Sequence, residues 1–390
     1  MTESPPSERL RVLVLSADFY PKESGGAFID WNVAKHLATS GDGVTVVTPR
    51  NGPNPPMETV DGVEIRRPFR GHSETTHPNS PEGVLLRLYF LLRIVPYLLY
   101  LNWRRDFDLV YSTNHEFHPP ATLLSVLFRL PHVSFVGYSP SIREDISNGH
   151  PLLVLERMNF RLFVGDRVLC RTPSIRDLLS ELSSAEVTRM DGIVDADALR
   201  RATESESANS AEFRPESGVQ LVFVGRLVDI KNPTTLPHIV SRLPPRYSVL
   251  VIGDGPERVD VESAVDLADV SERVHLAGRC SHERTLRAIQ RSDVLVLPSK
   301  AEAYPTVVFE ALSLNTTVLA TPVGVLPTID HPRLTTAPVE EFSETIPAID
   351  VSSADGIDEE TLRRFSVDHF SRKTYRIIHE EANRRVPEVA

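Results

Sequence analysis

At 390 residues, with 41% hydrophobic and 24% charged residues, the chain has the composition of a soluble globular protein and is too long for one ordinary core. Its formal net charge of −11 excludes a general nucleic-acid binder, which carries a basic balance, so no nucleic acid is expected as a partner. The two cysteines, Cys170 and Cys280, form neither a zinc spacing nor a disulfide framework and fit small core residues in a reducing interior.

The first ten residues, MTESPPSERL, lack the apolar core of a signal peptide, which leads to an expected cytoplasmic location. Arg11–Ser16 reads as a short apolar strand, Ile29–Ala38 as a helix and Val44–Thr48 as a second strand. Gly25 and Gly26 lie between the first strand and its helix. They do not form GxGxxG, so no nicotinamide cofactor is indicated. Either Gly26 helps bring N–H groups against a phosphate or acceptor, or the pair is a plain turn. Asn51–Pro56 and Gly71–Gly83 look like polar surface excursions.

The run Val84–Leu101 is strongly apolar, but Arg87, Arg93 and Pro96 interrupt it, which argues against a spanning helix. Trp103, Arg104 and Arg105 follow, a flank suited to lipid headgroups. The run is therefore either a buried helix pair or a peripheral contact with the inner face of a membrane. Leu109–Tyr111 and Val133–Val136 are strand-like, with a helix over Pro120–Phe128 between them. The intervening Asn114–His118 lacks the HExxH spacing of a zinc protease. It offers His115 and His118 as acceptor-side or proton-shuttling candidates, with an ordinary polar loop as the other reading.

Asp195-Ala-Asp197 imitates a metal-binding DxD but leads straight into a helix, so a helix cap is expected and no metal. Residues 1–195 are read as the first domain, 196–218 as a linker, 219–358 as the second domain and 359–390 as a helix returning to the first. From Leu221 to Thr321 strands and helices alternate without interruption, so the second domain is also a doubly wound α/β sheet. Two such domains facing each other across a cleft would hold their ligands in loops that follow strands.

The richest loop follows Val294–Leu297 and runs from Pro298 through Glu302 and Pro305 to a helix holding Glu310. Pro305 suits a first helical position, leaving the N–H groups of Thr306, Val307 and Val308 free for a phosphate. A carboxylate such as Glu302 or Glu310 can accept hydrogen bonds from vicinal hydroxyls, as in a ribose. After Leu221–Val224 comes Gly225, permitting close backbone approach, with Arg226 and Lys231 as two cations able to neutralise a diphosphate. Gly253 opens a third glycine-rich turn, GDGPE, at the same sheet edge.

Taken together, these motifs resemble the GT-B fold glycosyltransferases of family 4. Glu302 to Glu310 is similar to the family's E-x7-E signature, and Arg226 with Lys231 to its R-x4-K pair. GDGPE at 253–257 and SDVLVLPS at 292–299 match as well. The resemblance implies two Rossmann-like domains, a nucleoside-diphosphate sugar as donor substrate, no cofactor, and transfer of a hexose with retention to a glycan or lipid-linked acceptor. It gives Glu310 the ribose, Glu302 the donor sugar, Arg226 and Lys231 the leaving diphosphate, and Gly26 the support of the reaction centre. The chain departs from the family at Gly137-Tyr138, where a histidine is usual, leaving Tyr138 as an acceptor-side candidate, and at Val325, where a second glycine is usual. The alternative classes are a non-hydrolysing sugar-nucleotide epimerase and a non-catalytic sugar-nucleotide-binding subunit.

Overall fold

The computed structural model describes residues 9–22, 24–70, 81–139, 151–204, 218–351 and 356–384. Most of the excursion expected at Gly71–Gly83 and residues 205–217 of the expected linker lie outside the described residues. The chain forms two compact units, Met1–Asp191 with Val367–Ala390, and Gly192–Ser366.

In the first unit the strands are β1 (Arg11–Leu15), β2 (Gly43–Val47), β3 (Met57–Val60), β4 (Val63–Arg66), β5 (Leu109–Thr113), β6 (His132–Val136), β7 (Arg167–Cys170) and β8 (Glu186–Arg189). They lie in the order β3-β4-β2-β1-β5-β6-β7-β8, parallel except for the β3–β4 hairpin. Central strands such as β5 are buried along their whole length, as expected where helices cover both faces. The helices are α1 (Gly25–Thr39), α2 (Pro81–Arg105), α3 (His118–Phe128), α4 (Pro151–Leu162) and α5 (Pro173–Leu182). The crossover through α1 steps from β1 to β2, whereas those through α2 to α5 step the other way along the sheet. Right-handed connection therefore puts α1 on one face and α2 to α5 on the other.

Three local expectations change here. The helix after β1 begins at Gly25, with Ser24 Oγ accepting from Ala27 N–H at 3.2 Å, so Gly26 lies in the first turn and not in a preceding loop. The run 84–101 belongs to one helix, α2, that continues through Pro96, and not to a helix pair. Phe90, Ile94, Leu98 and Leu101 form its buried stripe. Cys170 is buried, with its thiol pushed up to about 12 by loss of solvent, whereas Cys280 is only half-buried.

The second unit holds α6 (Ala196–Glu204), β9 (Val219–Val224), α7 (Thr235–Arg242), β10 (Tyr247–Ile252), α8 (Arg258–Leu267), β11 (Val274–Gly278), α9 (His282–Arg291), β12 (Val294–Leu297), α10 (Thr306–Ser313), β13 (Thr317–Ala320), β14 (Leu334–Thr336), α11 (Phe342–Thr345) and α12 (Glu359–Phe365). Its sheet is wholly parallel in the order β11-β10-β9-β12-β13-β14. Residues 196–204, expected as linker, are instead a packed helix. Ala198, Leu199 and Ala202 join the core made by α9, α10 and β12, because α6 has one apolar stripe to bury. Asp195 Oδ1 accepts from Ala198 N–H at 2.9 Å, which makes it the cap of that helix. The C-terminal segment also divides. Phe365 of α12 packs on Phe309 (centroids 4.5 Å apart) within the second unit, and α13 (Val367–Arg384) packs on α1 within the first.

Candidate functional site

The order of the second sheet reverses between β9 and β12, which makes the loops beyond their carboxyl ends the ligand position of an open α/β sheet. The loop after β9 ends in a single 3-10 turn, Asp229–Lys231, closed by Asn232 in the left-handed conformation (φ 54°). The loop after β12 is tied to it by Lys300 N–H donating to Ile230 O at 2.8 Å and Asn232 Nδ2 donating to Pro298 O at 3.2 Å.

This knitting brings Lys231 and Glu302 together although 71 residues separate them. The Lys231 ammonium donates to Glu302 Oε1, and Ser299 Oγ donates to the same oxygen at 2.8 Å. The Glu302 side chain is 10% exposed, so the solvated reading of that residue is overturned. Ser299 is fully buried, and its carbonyl accepts from Thr321 Oγ1 at 2.5 Å, which fixes the loop from beneath. Arg226 is exposed at the same edge, with no hydrogen bond or ion pair to any described residue.

Two glycines are demanded by close backbone approach. A Cβ on Gly253, at φ +142°, would stand 1.8 Å from Gly225 O, and one on Gly324, at φ +58°, would stand 2.3 Å from Glu302 O. The expected role of Gly225 is thereby corrected. Its own Cβ would meet nothing nearer than 3.5 Å, so the steric demand falls on Gly253 opposite it.

Helix α10 starts one residue later than expected. Pro305 is the N-cap, with Thr306 and Val307 as the first two helical residues, both half-buried. Val308 N–H donates to Pro305 O at 3.1 Å and so is not free for a ligand. Glu310 lies in the second turn, its side chain 8% exposed, and His282 Nε2 stands 2.8 Å from its Oε1. The hydrogen bond to Glu310 raises the His282 pKa, partly offset by burial. Sequence reasoning missed His282, which opens α9 directly after the Ser281 cap; Ser-x-x at a helix start marks the cap but not the partner.

In the first unit the expected acceptor-side residues separate. His115, partly exposed, has Nε2 3.0 Å from Tyr138 O, so these two candidates are brought together. His118 is not available to any ligand. It is fully buried, with Nδ1 2.8 Å from Ser112 Oγ, and burial drives its pKa well below 6.5, so it is a neutral core histidine. Gly26 faces open space, with nothing within 4 Å of a Cβ position. Beneath that turn lies Asp30, which sequence reasoning also missed. Its Oδ2 accepts from Ser16 Oγ at 2.6 Å and Thr113 Oγ1 at 2.5 Å, and burial raises its pKa to about 7.

A family model described as "Glycosyl transferases group 1" matches residues 205–333, and one described as "Glycosyl transferase 4-like domain" matches residues 25–191. The chain belongs to the group 1 glycosyltransferases. Among solved structures, sucrose-phosphate synthase from Thermosynechococcus elongatus has a TM-score of 0.68 at 16% identity, covering 96% of this chain and 97% of that one. The Anabaena protein HepE in complex with UDP has a TM-score of 0.69 at 16% identity, over 95% of this chain and 100% of that one. At these identities the likeness gives the fold, which is GT-B with two Rossmann-like domains.

Curated relatives include the GPI3 subunit of phosphatidylinositol N-acetylglucosaminyltransferase from Saccharomyces cerevisiae, 25% identical over 44% of this chain and 39% of that one. A D-inositol 3-phosphate glycosyltransferase from a Mycobacterium species is 29% identical over 52% of this chain and 48% of its own length. The corresponding phosphatidylinositol N-acetylglucosaminyltransferase polypeptide of Arabidopsis thaliana is 26% identical over 84% of this chain and 70% of its own. The match thus spans half or less of the first two relatives.

Proposed function

We propose that this protein is a retaining glycosyltransferase that moves a hexose from a nucleoside-diphosphate sugar to a glycan or lipid-linked acceptor. The observation that carries the reading is the convergence of Arg226, Lys231, Glu302 and Glu310 on the loops at the switch point of the second sheet. Cations at that edge would neutralise the charge that builds on a departing diphosphate. Lys231 would serve in both states, since it already orients Glu302 toward the place the donor sugar would take. Glu310, nearly buried, keeps acceptor capacity on Oε2 for a ribose diol. Thr306 and Val307, with first-turn N–H groups, would face the phosphates, and Gly253 lets the turn after β10 close against the loop after β9. His115 and Tyr138 would stand on the acceptor side, and no metal or cofactor is required.

The relatives suggest where to begin. Two carry phosphatidylinositol in their names and one carries D-inositol 3-phosphate, and HepE was solved with UDP. The same reading puts the protein in the cytoplasm, in peripheral contact with the inner face of a membrane; no described helix is long and apolar enough to cross one. The test is incubation of purified protein with labelled donors, UDP-glucose and UDP-N-acetylglucosamine first, with and without inositol phosphates or lipid extract. Labelled product whose anomeric configuration matches the donor supports the proposal. Epimerised free donor, or nucleotide binding with no turnover on any acceptor, would replace it with the epimerase or binding-subunit reading.

A further inference from the structure

Most of the exposed large apolar side chains among the described residues lie on three consecutive helices, α2, α3 and α4. These helices share one face of the first sheet and neighbour one another in that order. Leu92 and Trp103 of α2 are 76% and 75% exposed, Val126 and Leu127 of α3 are 71% and 56%, and Val154 and Leu162 of α4 are 59% and 55%. Helix α2 shows why this is not a spill-over of core residues. Its inner stripe, Phe90, Ile94, Leu98 and Leu101, is buried, and Leu92, Tyr100 and Trp103 form a separate stripe on the opposite side. A helix facing only water has a polar outer face, so a second apolar stripe calls for a second apolar partner.

The charge around this layer is one-sided. Arg93, Arg104, Arg105, Arg129, Arg157 and Arg161 are exposed on the three helices and the cap of α3, while Glu156, the one carboxylate among their described side chains, is buried. Arg105 and Arg157 already pair with Glu64 and Glu181. In a chain of net charge −11, a basic, aromatic-bearing apolar face is a local inversion. A second copy of the chain bound through the same face would set these arginines against their own counterparts, which disfavours a symmetric dimer.

We propose that the outer face of the α2–α3–α4 layer docks in the interfacial plane of a bilayer with anionic headgroups. The three apolar stripes would enter the acyl boundary, Trp103 and Tyr100 would lie at headgroup depth, and the arginines would meet lipid phosphates. The surface is wider than the run 84–101 on which the sequence alone drew attention.

The test needs neither donor nor acceptor, so it stands or falls separately from the glycosyltransferase reading. The chain has two tryptophans, and Trp31→Phe leaves Trp103 as the only indole reporter. Its emission is expected to shift to the blue with phosphatidylcholine vesicles containing phosphatidylglycerol, to shift less at high salt, and to stay unchanged with phosphatidylcholine alone. Val126→Asp and Leu162→Asp, both at exposed positions, should each lower vesicle affinity about tenfold or more with an unchanged melting temperature. Absence of co-flotation with anionic vesicles would overturn the proposal. So would wild-type binding by both aspartate variants, or a dimer in solution that Val126→Asp dissociates while vesicles remain unbound.

Discussion

Replacing His282 tests the donor site through a residue that sequence patterns do not single out. Its Nε2 lies 2.8 Å from Glu310 Oε1, and the Glu310 side chain is 8% exposed. Leaving a buried acceptor without its partner costs about 1–3 kcal/mol. The His282 side chain is 51% exposed, so water replaces part of what is lost, and the lower end, about 1 kcal/mol, applies. Since about 1.4 kcal/mol is tenfold in affinity, His282→Ala should weaken UDP binding about fivefold, and His282→Gln, whose amide can donate to the same oxygen, should recover most of it. Titration calorimetry with UDP measures both. The pH dependence has a definite sign. The Glu310 hydrogen bond raises the folded-state pKa above its usual 6.5, with Asp195 adding to the rise and burial and Arg201 opposing it. The histidine's stabilising contribution is therefore complete below about pH 6.5 and lost as pH rises through the folded-state value. The melting temperature of the wild type relative to His282→Gln should fall between about pH 6 and about pH 8. An unchanged UDP affinity in His282→Ala, with no pH trend in that difference, would refute the coupling of His282 to Glu310.

Lys231→Ala removes the cation that Glu302 shares and should lower transfer at least about 100-fold, measured as turnover of labelled donor, with a smaller loss in donor affinity for Glu302→Gln. Gly253→Ala puts a Cβ 1.8 Å from Gly225 O at a φ of +142°, so urea denaturation should show a loss of about 3 kcal/mol or more. Asp30→Asn keeps an oxygen to accept from Ser16 and Thr113. The wild-type carboxyl, raised from 3.8 to about 7, loses stability as pH rises through that range, so the variant should be more stable at pH 8 by up to about 4 kcal/mol, with a flatter pH profile. Equal stabilities above pH 7 would show that Asp30 ionises freely.

The central strands were legible because burial on both faces leaves continuous apolar runs, as in VFV, VLVI and VLVL of β9, β10 and β12. The edges were not. β3 and β8 are four residues each, mostly half-buried or exposed, and β14 has three residues, so no run stands out from the flanking loops. Lys231 and Glu302 were legible because each sits in a loop directly after a recognisable strand. Their mutual contact, and that of His282 with Glu310, depends on the sheet order that brings residues 71 and 28 positions apart side by side. His118 was misjudged for the opposite reason. Read in sequence it belongs to a polar run, NHEFH, but it opens α3, where it turns into the core, and no spacing reveals that.

The burial of His118 has a consequence for proton placement. Thr122 Oγ1 gives its one proton to Phe163 O at 2.8 Å, so at its 3.3 Å approach to His132 Nδ1 it can only accept. His132 then carries hydrogen on Nδ1 and presents a lone pair on Nε2, which accepts from Ser112 Oγ at 2.8 Å. With its proton committed, the serine oxygen accepts from Nδ1–H of His118, and the lone pair of His118 falls on Nε2, the buried nitrogen without a partner. The polarity of the wire thus runs one way, from His118 through Ser112 and His132 to Thr122 and the carbonyl of Phe163. Both imidazoles adopt the less common Nδ1–H tautomer, and nitrogen chemical shifts of labelled histidine would report that uniform direction as two matching pairs.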